Sequence, residues 1–172
     1  HNVIFADDYQ RNVEEISNEL VLSEDPSFYV QNASVTDPTL APEDRSTIYV
    51  LVPCPNMRAG IDWDEAAGPY REKILDLLEG RGGFTGLSGS IEESKIITPK
   101  NWQEDYGVYE GATFNLAHTL GQVLYFRPHN RFREVGHCYL VGGGTHPGSG
   151  LPTIYESARI SSNLLCEDLE AS

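Results

Sequence analysis

A glycine-rich segment near the end of the chain, residues 142–150, constrains the fold most strongly. The sequence around it predicts a strand at residues 139–141, a tight turn, and a helix over residues 151–159. Glycines let backbone amides approach a ligand that a Cβ would exclude, and a helix start offers unpaired N–H groups and the positive end of a dipole. A strand, turn and helix of this kind are typical of a cofactor-binding site.

The position of this turn in the chain is unusual for a cofactor site. Only the helix and a short acidic tail follow it, which leaves no room for the βαβ continuation that a first nucleotide-binding turn needs. The chain also begins at His1, and its only methionine is Met57. We therefore expect a piece of a longer protein, with half of the cofactor site outside this sequence.

The turn matches no standard phosphate-binding motif. Gly142 and Gly144 give G-x-G, but Pro147 stands at the place of the third glycine, and no G-x-x-x-x-G-K is present. Pro152 suits the first turn of a helix, where its missing N–H costs nothing. At this point a tight turn without any ligand remains an equal alternative to a cofactor site.

The composition excludes several classes of partner. A net charge of -14, from 26 acidic and 12 basic residues, repels nucleic-acid phosphates. Three widely spaced cysteines predict neither a disulfide framework nor a zinc site, and the histidines lack ligand spacing, so no metal is expected. Residues 86–90 fall one residue short of a nucleophile elbow and follow a loop, which argues against hydrolase chemistry.

The remaining patterns predict two layers. The first is a mixed or antiparallel sheet with helices up to about residue 130, and the second is the final strand-turn-helix unit. Strands are predicted at residues 2–6, 27–31, 47–52 (buried on both faces) and 91–98. Helices are predicted to begin at Asp7 or Asp8, at Asp62 or Asp64, and at Pro99. Aromatic residues after Gly107 are candidates either for a core or for a cavity that holds an apolar ligand.

Two segments carry a resemblance to a known family. Residues 126–131 (FRPHNR) and 139–152 resemble the C-terminal part of the bacterial and fungal phytoene desaturases, which are FAD-dependent carotenoid desaturases. The resemblance continues upstream through residues 1–5, 25–30, 36–42 and 49–53, so it covers nearly the whole chain. The departures are small, since Gly143 stands where alanine is common and residues 55–58 match more loosely.

The resemblance implies an α+β or α/β fold in two parts. Residues 1–135 would be the C-terminal part of a mixed-sheet substrate-binding domain, and residues 136–172 the final strand-turn-helix of a Rossmann-like FAD domain. The front dinucleotide turn is absent from these 172 residues. We therefore expect a C-terminal fragment that is inactive alone and binds FAD weakly or not at all.

The resemblance also implies the activity of the parent protein, which is FAD-dependent desaturation of phytoene or a related carotenoid precursor. It implies a cytoplasmic protein that associates peripherally with membranes. A non-catalytic acidic α+β ligand-binding or interaction domain, or a related carotenoid isomerase or ketolase, stands as the alternative. No catalytic acid or base can be assigned. The expected FAD contacts are Gly142, Gly143, Gly144, Thr145, Gly150, Leu151 and Pro152. The expected contacts to the apolar polyene are Tyr109, Phe114, Phe126 and His129.

Overall fold

The computed structural model describes residues 1–171. Its backbone contacts divide the chain into two compact units, the first spanning His1–Gly111 and the second beginning at Ala112. This division by packing differs from the domain boundary expected between residues 135 and 136. That boundary concerns the parent protein and stays a prediction.

The first unit contains a three-stranded antiparallel sheet in the order β1-β2-β3. The strands are β1 (Asn2–Ile4), β2 (Phe28–Asn32) and β3 (Ile48–Leu51). Val30 in β2 lies opposite Asn2 of β1 and Val50 of β3. Three of the four strands expected in this part of the chain, and the antiparallel arrangement, are therefore confirmed.

Two predictions about the sheet are wrong. β3 is not buried on both faces, because Ile48 and Val50 face the core whereas Tyr49, on the other face, is 52% exposed. Residues 91–98 form no strand, and Ile96 and Ile97 are each 43% exposed. Their β-branched side chains favour an extended backbone, but a strand also needs a hydrogen-bonding partner, which the local sequence does not specify.

Helix starts in the first unit follow their capping residues. The Asp8 carboxylate accepts a hydrogen bond from Arg11 N before α1 (Tyr9–Glu14), which continues as a π-helical turn to Glu19. Asp62 caps α2 (Trp63–Gly80) in the same way. Gly86 precedes the short α3 (Leu87–Ser90). Thr98 forms a capping box before α4 (Pro99–Glu104).

The core of the first unit lies between α2 and the sheet. Phe28 and Val30 of β2 are 1% and 0% exposed and pack against Ile74, Leu75 and Leu78 of α2. Burying such a side chain contributes about 1.5–3 kcal/mol. This packing of a helix on an antiparallel sheet confirms the α+β class for the unit.

The second unit is built around one long helix, α5 (Leu151–Glu170). The chain before it is irregular apart from two short 3-10 turns, Leu120–Gln122 and Leu124–Phe126. The strand predicted at residues 139–141 is reduced to a single bridge between Arg131 and Tyr139. Among the described residues, no strand pairs with residues 140 and 141, so the bridge does not continue as a β-ladder. None of the described helices combines the length and apolar character that a bilayer crossing requires.

We expect Leu78→Ala to destabilise the first unit by about 2–5 kcal/mol, because it leaves a cavity at a fully buried position on the core-facing side of α2. Urea denaturation followed by tryptophan fluorescence measures this unit alone, since Trp63 and Trp102 both lie in it. The control, Val35→Ala at a 77% exposed position, should change the free energy of unfolding by no more than about 0.5 kcal/mol. Equal effects of the two substitutions would contradict this account of the core.

Candidate functional site

The glycine turn, residues 142–150, lies in the second unit and depends on glycine at both ends. Gly142 has a φ of 117° and Gly150 a φ of 93°, which are backbone conformations that L-amino acids with a side chain rarely adopt. A Cβ on Gly142 would meet no described atom within 4 Å. Backbone conformation, and not lack of space within the chain, therefore requires glycine at position 142.

The two middle glycines are closely packed. A Cβ on Gly143 would lie 3.3 Å from the Cβ of Ser149, so the two arms of the turn are in close contact. A Cβ on Gly144 would lie 2.6 Å from Nδ2 of Asn115. The turn is therefore in close contact with Ser149 and with the side chain of Asn115.

The start of α5 lacks a side-chain cap. Gly150 occupies the N-cap position and has no side chain, and Pro152 lies in the first turn. The Thr153 hydroxyl donates hydrogen bonds to the carbonyl oxygens of Ser149 and Gly150. Leu151 is 69% exposed. The positive end of a 20-residue helix is therefore accessible beside the glycine turn.

Asn130 joins the turn to α5 through its buried side-chain amide. Its Nδ2 donates hydrogen bonds to Oγ of Ser157 at 3.0 Å, Oγ of Ser161 at 3.1 Å and the Leu140 carbonyl at 3.2 Å. Asn130 is 3% exposed, and the two serines are 0% and 4% exposed. Ser157 also accepts a hydrogen bond from Gly142 N at 3.3 Å. This network holds the first glycine of the turn on the helix.

Asp168 makes a second connection, at the other end of α5. It accepts hydrogen bonds from the Tyr139 hydroxyl and, at 2.8 Å, from Nη2 of Arg131. The Tyr139 hydrogen bond, helped by Arg131, holds the pKa of Asp168 below its usual value, and the same bond raises the pKa of Tyr139. The two bridge residues are therefore fixed to the last turns of the helix.

Arg127 is a buried cation next to the turn. It is 1% exposed, and its Nη1 donates to the Gly143 carbonyl at 2.6 Å while Nη2 donates to the Leu116 carbonyl at 3.2 Å. Its Nε is buried without a hydrogen-bond partner. No ion pair within residues 1–171 includes Arg127. A positive charge without a carboxylate partner is thus held against the glycine turn.

Aromatic and imidazole rings form a cluster on the same unit. The ring of Tyr125 lies 6.0 Å from that of Phe126 and 5.2 Å from that of His129. The His129 ring lies 6.4 Å from His146, which follows Thr145 in the turn. Phe126 and Tyr125 are 68% and 70% exposed. Two of the expected polyene contacts, Phe126 and His129, are therefore brought near the expected FAD contacts.

The other two expected polyene contacts, Phe114 and Tyr109, are not part of this ring cluster. Phe114 is 68% exposed in the second unit and precedes Asn115, whose side chain lies against Gly144. Tyr109 is 84% exposed and belongs to the first unit. The expected FAD contacts form one continuous turn and helix start. The roles of all these residues remain predictions.

Residue-by-residue reasoning missed the buried polar groups that support the turn. Arg127 and Asn130 lie in the segment that carried the resemblance, but no role was assigned to either. The available signal was Ser157 and Ser161, two small hydroxyl residues four positions apart and therefore on one face of the predicted helix. Within residues 1–171, no group of three or more His, Cys, Asp or Glu residues is placed to hold a metal ion.

Known proteins similar to this chain are carotenoid desaturases. The chain is 54% identical over 167 residues to a 4,4'-diapophytoene desaturase (4,4'-diapolycopene-forming) of Methylomonas sp, covering 97% of this chain and 33% of the relative. It is 42% identical to the all-trans-zeta-carotene desaturase of Myxococcus xanthus, over 98% of this chain and 32% of the relative. It is 36% identical to the phytoene desaturase (lycopene-forming) of Pseudescherichia vulneris, over 99% and 35%.

These similarities confirm the predicted resemblance to the phytoene desaturases. The chain spans about a third of the length of the curated relatives it matches. No protein-family model matches it.

We expect Asn130→Asp to disrupt the second unit, because an ionised carboxylate cannot donate to the Leu140 carbonyl and would be buried beside it. The cost should be at least about 2 kcal/mol, which corresponds to roughly thirtyfold faster amide hydrogen exchange in α5 around Ser157. The matched control is Asn163→Asp, the same change at an exposed position of the same helix, which should leave this exchange unchanged. Equal exchange rates in both variants would contradict the proposed support.

Proposed function

Because this chain is similar over nearly its whole length to about a third of several carotenoid desaturases, we propose that it is the C-terminal part of an FAD-dependent carotenoid desaturase. The observation that carries the proposal is the 54% identity to a 4,4'-diapophytoene desaturase across 97% of the chain. The substrate class is an acyclic carotenoid precursor of the phytoene or 4,4'-diapophytoene type. The activity belongs to the longer parent protein.

The residues of the glycine turn fit FAD as a ligand. FAD carries negative charge on its diphosphate, and both the accessible positive end of α5 and the uncompensated charge of Arg127 favour an anion at this place. The open backbone at Gly142 allows close approach of a ligand. The proposed FAD contacts are Gly142, Gly143, Gly144, Thr145, Gly150, Leu151 and Pro152.

When bound, FAD supplies the redox chemistry by accepting a hydride equivalent from a saturated carbon pair, which leaves a double bond. The chain's own contribution is to position the cofactor and the hydrocarbon. A polyene offers few polar groups, so its binding depends on apolar surface. The exposed rings of Tyr125 and Phe126 offer such surface next to His129 and His146. We propose Phe126 and His129, with Phe114 and Tyr109, as polyene contacts.

The proposal assigns the two parts of the chain to two domains of the parent. Residues 1–135 belong to the substrate-binding domain, and residues 136–172 complete a Rossmann-like FAD domain whose first dinucleotide turn lies elsewhere in the parent. In that domain, residues 139–141 gain the strand partners that the described residues do not supply. The resemblance implies that the parent is cytoplasmic. Since its proposed substrate resides in lipid, we propose that the parent associates peripherally with a membrane.

The proposal is tested by purifying the parent protein, supplying FAD, and incubating it with phytoene or 4,4'-diapophytoene in liposomes. We expect retained flavin absorbance and products that have lost hydrogen and gained conjugated double bonds, identified by chromatography and mass spectrometry. Products of unchanged mass would indicate an isomerase. A parent that binds no flavin would support the alternative of a non-catalytic binding domain. Either result would overturn the proposal.

We expect Gly142→Ala in the parent to weaken FAD binding about tenfold or more, because a Cβ disfavours the φ of 117° by about 1–3 kcal/mol. A flavin fluorescence titration measures the dissociation constant. The matched control is Gly121→Ala, the same substitution at an open position of the same unit, which should bind FAD as the unsubstituted parent does. Equal affinities in two folded variants would exclude Gly142 as part of the site.

A further inference from the structure

We propose that Arg127 is the counter-charge for the negative charge of FAD at the glycine turn, so that it positions the turn and sets the electrostatic potential felt by the cofactor. This inference rests on the proposed function. It adds a role for a buried residue that is not among the expected FAD or polyene contacts. The observations that support it are the burial of Arg127, its lack of a carboxylate partner among residues 1–171, and its hydrogen bond to the turn at Gly143.

Arg127 differs from the other arginines of the chain in its surroundings. Six of them pair with a carboxylate: Arg11, Arg45, Arg71, Arg81, Arg131 and Arg159. Arg58 and Arg133 are exposed to solvent. Arg127 alone is both buried, at 1% exposure, and without a carboxylate partner among residues 1–171. A buried charge of this kind is costly unless a counter-charge compensates it.

The carbonyl partners of Arg127 do not use its full capacity. A guanidinium has five N–H donors in a planar fork, and here two of its nitrogens donate to the carbonyls of Leu116 and Gly143. The Nε lacks any partner. Carbonyl dipoles compensate a full positive charge only in part, so the surroundings of Arg127 remain favourable for an anion.

The position of Arg127 directs this charge to the start of α5. Its Nη1 is bonded to the carbonyl of Gly143, and Gly143 packs closely against Ser149. Only Gly150, the N-cap residue, lies between Ser149 and Leu151, the first residue of α5. The guanidinium and the start of α5 are therefore both connected to the contact between Gly143 and Ser149. Both stabilise negative charge at the same turn.

FAD offers two sources of negative charge. Its diphosphate is negative in both oxidation states, whereas its ring gains negative charge only on reduction. Compensation of the diphosphate would affect the affinity for oxidised FAD, and compensation of the ring would affect the midpoint potential. A weaker affinity for oxidised FAD or a lower midpoint potential would each support the proposal, since each shows that Arg127 compensates negative charge on FAD. The two measurements identify its source.

The test uses the full-length holoenzyme with Arg127→Gln and Arg127→Lys. Gln keeps a hydrogen-bond donor but removes the charge, and Lys keeps the charge but loses the planar fork. We expect Arg127→Gln to weaken binding of oxidised FAD about tenfold, or to lower the midpoint potential by about 30 mV, which is a tenfold change for a two-electron couple. Arg127→Lys should retain most of both values.

The control is Arg159→Gln, which removes the same charge from an exposed, Glu156-paired position of α5. It should change the dissociation constant of FAD less than twofold and the midpoint potential by less than about 9 mV, which is a twofold change for a two-electron couple. A purely structural role would make Lys and Gln equally harmful to folding and leave the potential of the residual holoenzyme unchanged. That outcome, or Arg127→Gln values equal to those of Arg159→Gln, would overturn the inference. If Arg127→Gln does not fold, loss of affinity or potential in Arg127→Lys would overturn it. Failure of the unsubstituted parent to bind FAD would instead refute the proposed function.

Discussion

The hydrogen bonds of the Asn130 side chain hold the glycine turn against α5, and the candidate site depends on this arrangement. The turn has no sheet beneath it among the described residues, because the segment before it forms only the bridge between Arg131 and Tyr139. The amide of Asn130 replaces that support by joining the Leu140 carbonyl to Ser157 and Ser161 on α5. Satisfied polar groups in a buried position fix one arrangement, since any other arrangement leaves them without partners.

This support allows a locally positive site in a strongly acidic chain. The net charge is -14, yet the turn is contacted by the buried Arg127, which has no carboxylate partner among residues 1–171, and is followed by the uncapped start of α5. On α5, Glu156 pairs with Arg159, and Asp168 is held at the far end of the helix by Tyr139 and Arg131. An anionic cofactor is therefore favoured at the turn by short-range charge, although the protein as a whole repels anions. The similarity to carotenoid desaturases supports the proposal that this anion is FAD.

The elements that the sequence predicted well are those set by local interactions. The apolar spacing and a cap at Asp62 or Asp64 predicted α2, where the structure has Asp62, and Pro152 after the glycines predicted α5. The strand at residues 91–98 was wrong, and that at residues 139–141 is reduced to one bridge, because strand pairing depends on distant partners. The full burial of β3 was wrong because local sequence does not show that nothing covers the face that carries Tyr49. The burial of Arg127 and Asn130 was not predictable either, since polar side chains are usually exposed and only the folded chain shows what surrounds them.

The most direct test of the central claim is hydrogen exchange of the full-length parent with and without FAD, followed by mass spectrometry. If the glycine turn and the start of α5 bind the cofactor, the amides of residues 142–154 gain protection when FAD is added. The amides of β2 (Phe28–Asn32) serve as an internal reference and should not change. Unchanged exchange at residues 142–154 in a parent that demonstrably binds FAD would contradict the account.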